Sequence, residues 1–242
     1  MNVIITGFMG TGKTSVGKRL ARRLGWTFVD VDQLIEQSAA MSVPQLFAER
    51  GEAVFRRLER RVIGRIVHKQ NQVIATGGGA FVNPESRARL RVSGPVICLT
   101  ATPQVILARV GRKLSSRPLL AGSGDPLARI KTLLSQRAKA YARADAMMDT
   151  SSFSVEAVVE KVVDQLKPYL CKSWQYVREH AGKLAHRYGG QYVVVVENRI
   201  VASGETQLAA YQKAGQRLTE QRETGIYYIP LPEESLTALV SR

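Results

Sequence analysis

The sequence predicts an α/β chain: a parallel sheet covered by helices on both faces, followed by a smaller α+β domain. Short apolar runs alternate with amphipathic stretches of helical period, and several runs are too apolar for half-exposed strands. A glycine-rich loop stands between the first such run and the first amphipathic stretch. After Pro168 the alternation breaks.

Taken in order, the apolar runs at 3–5, 27–29, 73–75, 96–99 and 146–148 read as strands. Helical periodicity marks residues 14–24, 43–50, 53–68, 84–90, 103–110, 127–144 and 155–169, with Pro84, Pro103 and Pro126 falling where a helix would start. Residues 111–125 have glycine at both ends and no periodicity, the composition of a mobile lid between hinges. Beyond Pro168 the reading is a helix at 173–188, strands at 191–197 and 200–203 around a turn at Asn198-Arg199, a helix from 206 to about 220, and a last strand at 225–229. Two strands so close together form an antiparallel hairpin. A domain boundary is expected near Leu170, giving domains 1–170 and 171–242, with no internal repeat or low-complexity segment.

A chain of 242 residues that is 45% hydrophobic can bury one good core and a second, smaller one. Cys98 and Cys171 lie far apart with no neighbour at zinc or redox spacing, so both are expected to be reduced thiols. Without a membrane-length apolar stretch or a cleavable leader, the chain is expected in the cytoplasm with no membrane partner. The spacing of His68, His180 and His186 gives no support to a histidine metal site. Any metal is expected to arrive with a nucleotide. The net charge is +15, with 26 Lys/Arg against 13 Asp/Glu in residues 1–171 and 9 against 7 in residues 172–242. Such a field attracts anions without choosing among them. Aromatics are not interleaved with the basic residues as a nucleic-acid platform requires, so nucleic acid is not an expected partner.

The strongest motif is Gly7-Phe8-Met9-Gly10-Thr11-Gly12-Lys13-Thr14, directly after a strand and directly before a helix, the context a P-loop requires. Amides of Gly10, Thr11, Gly12, Thr14 and Ser15 and the positive end of the helix would hold ATP phosphates. Lys13 would reach the β- and γ-phosphates, and Thr14 would ligate Mg²⁺. Asp30 and Asp32, spaced by two, are read as pointing the same way from the end of the second strand, one serving Mg²⁺ through water and the other meeting an acceptor hydroxyl. Arg56 and Glu59 lie three apart, so on a helix the carboxylate can orient the guanidinium for bidentate capture of a substrate carboxylate. Gly77, Gly78 and Gly79 follow the third strand and would let a ligand approach the backbone.

In combination with Arg117-Pro118-Leu119-Leu120 and Arg137, these elements resemble the shikimate kinase family over residues 1–168. The resemblance implies a three-layer P-loop fold of the nucleoside monophosphate kinase type, with a five-stranded parallel sheet and a lid. It implies ATP and shikimate as substrates and shikimate 3-phosphate, on the way to chorismate and the aromatic amino acids, as product. Carried over, it makes Asp32 the base and Asp30 an aid to Mg²⁺. Arg56, Gly78, Gly79 and Arg137 would hold the ring and its carboxylate, Arg117 would close with the lid, and Arg109 would lie against the adenine. A kinase for another polar acid such as gluconate, and a nucleotide-regulated binding protein, are the rival readings. The kinase domain is expected to be monomeric. Residues 171–242 resemble small uncharacterised bacterial domains and are expected to be a non-catalytic module contacting the kinase domain, a partner or a second copy.

Overall fold

The computed structural model describes residues 1–111, 119–120, 125–218 and 223–231, apart from the side chain of residue 216. The expected lid therefore lies largely outside the described residues, and Arg117 wholly so.

Strands β1 (Val3–Gly7), β2 (Thr27–Asp30), β3 (Gln72–Ala75), β4 (Val96–Thr100) and β5 (Ala146–Asp149) pair in parallel in the order β2-β3-β1-β4-β5. All five stand where the apolar runs put them. Central β1 is buried along its whole length, which is why its sequence does not alternate. Chain order reverses on either side of β1, so a crevice opens beyond the carboxyl ends of the strands, where α/β sheets bind ligands.

The helices of the first layers are α1 (Lys13–Leu24), α2 (Val31–Ala39), α3 (Val43–Ile66), α4 (Pro84–Ser93), α5 (Pro103–Val110), α6 (Pro126–Tyr141) and α7 (Val155–Leu170). Pro84, Pro103 and Pro126 each open a helix, behind Asn83, Thr102 and Asp125, whose side chains accept amide hydrogens of the first turn. Each such cap stabilises its helix by about 1 kcal/mol. The two stretches expected at 43–50 and 53–68 join as α3 across a kink at Gly51, where φ is 76°. One main core gathers Ile4, Phe8, Leu46, Ile63, Ile74 and Phe81, each contributing roughly 1.5–3 kcal/mol by its burial.

One expectation is overturned here. Asp30 and Asp32 do not alternate along a strand, because α2 begins at Val31. Asp30 is its cap, accepting the Asp32 amide at 3.1 Å, and Asp32 lies in the first helical turn. A capping Asp ahead of Val31, Leu34 and Ile35 was the helix signal in the sequence.

Chain contacts divide the protein into Met1–Asp164 and Gln165–Arg242, with α7 running through the division. The second unit carries α8 (Lys172–Glu179), α9 (Ala181–Tyr188), β6 (Gln191–Val196), β7 (Arg199–Gly204), α10 (Gln207–Ala214), a 3-10 turn (Gly215–Arg217) and β8 (Thr224–Ile229). Its three strands are antiparallel in the order β7-β6-β8. Val193 and Val195 pack with Val177 and Leu184 on one face, while Val194 packs with Ala210 and Ala214 on the other. The run of four valines thus reflects a strand covered on both sides. The single helix expected at 173–188 is two, because His180 leaves helical geometry (φ −106°, ψ 11°). Its ring stacks on Tyr176 at 4.5 Å.

Among the described residues no helix is long and apolar enough to cross a membrane. Both cysteines are free, and burial pushes the Cys98 thiol up to about 12, which keeps it protonated and inert.

Candidate active site

The glycine loop wraps over the end of β1. Gly12 caps α1 in the left-handed region (φ 89°) with no side-chain cap, and no acidic residue stands in the first turn. The positive end of α1 is therefore left for an external anion. The Phe8 carbonyl accepts from Thr11 Oγ1 at 2.7 Å and from Lys13 Nζ at 2.9 Å, drawing the loop into a tight cradle. Thr11 is fully buried behind that cradle, and its amide donates to the Phe8 carbonyl at 3.4 Å, so its part is to shape the loop.

Beside the cradle, Thr14 Oγ1 donates to Asp30 Oδ2 at 3.0 Å. A hydroxyl and a carboxylate are the hard oxygen donors Mg²⁺ takes, with phosphate oxygens and water completing its shell, so these residues fit the metal. Arg109 reaches the cradle from α5, bonding the Gly10 carbonyl at 3.3 Å and Thr150 through Oγ1 at 2.9 Å and through its carbonyl at 2.6 Å.

Further lining comes from α2, α3, α6 and the glycine turn after β3. Arg56 Nη1 donates to Glu59 Oε2 at 2.8 Å, and Nε and Nη2 grip Glu52 Oε1 at 3.1 and 2.9 Å. The orienting pair expected from the three-residue spacing is present, and Glu52 doubles it. A Cβ on Gly79 would come 2.5 Å from Arg56 Nη2, and one on Gly78 would come 2.9 Å from Arg137 Nη1. Both guanidiniums thus lie against backbone that has no side chain, which is what the glycines provide. Arg137 is 8% exposed, with its guanidinium 5.3 Å from the Phe8 ring. Tyr141 donates to the Gly78 carbonyl at 2.9 Å and fixes the turn; burial holds its hydroxyl up at about 12.

Two carboxylates meet at Gly77. A Cβ on Gly77 would lie 3.0 Å from Asp32 Oδ1 and 3.1 Å from Glu59 Oε1, so both oxygens converge on one spot. Glu59 is 1% exposed, and its Oε1 accepts no hydrogen bond among the described residues. Burial pushes its carboxyl up to about 7, with Asp32 adding to the rise and Arg56 opposing it.

These parts line one cavity of about 630 Å³. Gly10, Gly12, Lys13, Thr14, Ser15 and Arg109 line it together with Asp30 and Asp32. Arg56, Gly77, Gly78, Gly79 and Arg137 line it as well, with the Phe47 and Phe55 ring centroids 4.8 Å apart. Thr150 was not singled out in the sequence, because what it does depends on backbone carbonyls far away along the chain.

Comparison with known proteins gives the family. The family model for shikimate kinase matches residues 9–167, and a family of unknown function (DUF5678) matches residues 183–233. A shikimate kinase of Caldanaerobacter subterraneus subsp. tengcongensis is 45% identical over 162 residues, 67% of this chain and 94% of that protein. One from Thermus thermophilus is 44% identical over 164 residues, covering 68% and 89%. A shikimate kinase from Acinetobacter baumannii, solved in complex with shikimate, superposes with a TM-score of 0.66 at 31% identity, covering 70% of this chain and 94% of that one. The matched span takes in the phosphate cradle, the paired guanidiniums and the glycine turn between them, and this chain belongs to the shikimate kinase family.

Proposed function

We infer that this chain transfers the γ-phosphoryl group of ATP to the 3-hydroxyl of shikimate, releasing ADP, as a step of aromatic amino acid biosynthesis. The observation that carries the acceptor's identity is the pair of guanidiniums, Arg56 and Arg137, laid on Gly79 and Gly78 in the cavity that Lys13 also lines. Two planar cations on bare backbone suit a carboxylate on a small ring, which a nucleoside acceptor lacks.

In this reading the loop amides and Lys13 hold the β- and γ-phosphates, and Arg109 stands on the adenine side. Thr14 and Asp30 would hold Mg²⁺, which when bound offsets phosphate charge. Asp32 orients the acceptor hydroxyl and takes its proton as the new O–P bond forms and the bond to the ADP oxygen breaks. Phosphoryl transfer asks chiefly for alignment and cations, and this cavity offers both. Arg117 is assigned to the phosphates from the lid. We assign residues 1–170 to catalysis as a monomeric unit and residues 171–242 to protein contacts. Use of ATP and the two free thiols favour a cytoplasmic setting.

Coupled ADP release with MgATP and shikimate, gluconate or nucleoside monophosphates tests the acceptor. Stimulation by shikimate alone is expected; stimulation by gluconate or a nucleotide instead would falsify the assignment.

A further inference from the structure

Thr150 is the first residue past β5 and is 4% exposed. Four parts of the first unit meet at it. Its amide donates to the Thr100 carbonyl at the end of β4 at 2.9 Å. Its hydroxyl lies 3.0 Å from that same carbonyl and 3.2 Å from the Thr11 carbonyl in the phosphate cradle. The same oxygen accepts from Arg109 Nη1 at 2.9 Å, while the Thr150 carbonyl accepts from Nη2 at 2.6 Å. One hydroxyl proton is thus shared between two carbonyls, and a lone pair is filled by an arginine.

A trans peptide is planar, so its C=O and N–H point in opposite directions. Holding the Thr11 carbonyl toward Thr150 turns the Gly12 amide the other way, and Gly12 lines the cavity. The next amide back is already spent inside the loop, Thr11 donating to the Phe8 carbonyl at 3.4 Å. The tilt of the Thr11–Gly12 peptide is therefore set from outside the loop, by one side chain. The same side chain fixes the plane of Arg109, whose Nη1 also bonds the Gly10 carbonyl.

We propose that Thr150 is a positioning residue for the nucleotide: its hydroxyl aims the Gly12 amide at the phosphates and holds Arg109 at the cradle's edge. This rests on the phosphate-cradle reading above. An alternative in which Thr150 only fills space predicts that an isosteric apolar residue is harmless.

Thr150→Val keeps the shape and removes the hydroxyl, and Thr150→Ser keeps the hydroxyl. Fluorescent mant-ADP binding to the full chain should weaken about tenfold in Thr150→Val, the size expected for hydrogen bonds to a charged group, and recover in Thr150→Ser. The KM for ATP should rise in parallel while the KM for shikimate stays within about twofold, since Arg56 and Arg137 are untouched. Thr150→Ala crowds nothing and carries the same expectation should the valine variant not fold. Unchanged mant-ADP affinity in the apolar variants, a serine variant as weak as they are, or an equal rise in both KM values would overturn the proposal. Wild-type chain that binds mant-ADP yet ignores shikimate would remove the acceptor assignment and leave the Thr150 comparison standing.

Discussion

Glu59 and Arg56 are joined through Oε2 and Nη1 at 2.8 Å, yet the other oxygen of that buried carboxylate faces Asp32 across Gly77 with no hydrogen bond among the described residues. The arginine does not fully offset the burial, and the carboxyl rises from 4.5 to about 7. Its neutral form is favoured by folding. The associated stability is complete below pH 4.5, where both folded and unfolded chains are protonated, and is lost as pH climbs through about 7. Glu59→Gln cannot ionise, so urea unfolding of ligand-free protein should show wild type losing about 3 kcal/mol relative to the variant between pH 4.5 and 7.5. The lost ion pair adds a constant offset and leaves that slope alone. Parallel stability curves for the two proteins would contradict the assigned environment.

Asp32 and Lys13 line the same cavity and should fail differently. Asp32→Asn keeps the shape and removes the proton acceptor, so turnover should drop by about 10²–10³ with ATP affinity nearly unchanged. Lys13→Ala removes a cation at the phosphates and should cost about 10² or more in turnover with any acceptor. Steady-state kinetics together with mant-ADP titration separate the two. Small and equal losses would mean that the two residues do not act on one reaction.

Gly79 tests the acceptor wall without touching the nucleotide side. The atoms an added Cβ would meet are the end of the Arg56 side chain, which can move at little cost to folding. Its guanidinium would then leave the plane set by Glu52 and Glu59. Gly79→Ala should accordingly keep its melting temperature within a few degrees while the KM for shikimate rises about ten- to a hundredfold, the scale of an ångström of misplacement. An unchanged KM for shikimate would take the Arg56–Gly79 contact out of acceptor binding.

How much of this was readable beforehand depends on how far apart along the chain the cooperating residues are. The phosphate cradle is contiguous, and Arg56 and Glu59 sit one helical turn apart, so spacing alone located them. β1, β3 and β4 announced themselves because strands buried on both faces are unbroken apolar runs, while the half-exposed edge strands β2 and β5 were marked only by short apolar runs. Asp30-Val31-Asp32 was misread because a four-residue strand hands over to a helix within it, and the two-residue period of the strand was carried past its end. The break at His180 is accompanied only by Gly182 in the first turn of α9, and a lone glycine inside a helical pattern is tolerated. Arg137 and Thr150 had no local signal at all: one meets Phe8 and Gly78, the other Thr11, Thr100 and Arg109, and only folding supplies those neighbours.

The second unit offers a prediction about where the enzyme ends. The shikimate kinase match stops at residue 167, while α7 continues to Leu170 and buries Val158, Val159 and Val162. Ending the chain inside α7, at the division after Asp164, would strip the last turns from a helix that the first unit uses. Ending it at Leu170 keeps α7 whole and removes β6, β7 and β8 with their own two apolar clusters, which share no residue with the main core. The shortened chain should therefore fold and retain kcat and both KM values within about twofold, as expected when the removed part touches no reacting group. If residues 171–242 bring copies of the chain together, light scattering should give the full chain more than one protomer's mass and the shortened chain a single protomer's. Equal protomer counts for the two would remove self-association from the roles open to this unit, and a loss of turnover on shortening would place it within the catalytic machinery instead.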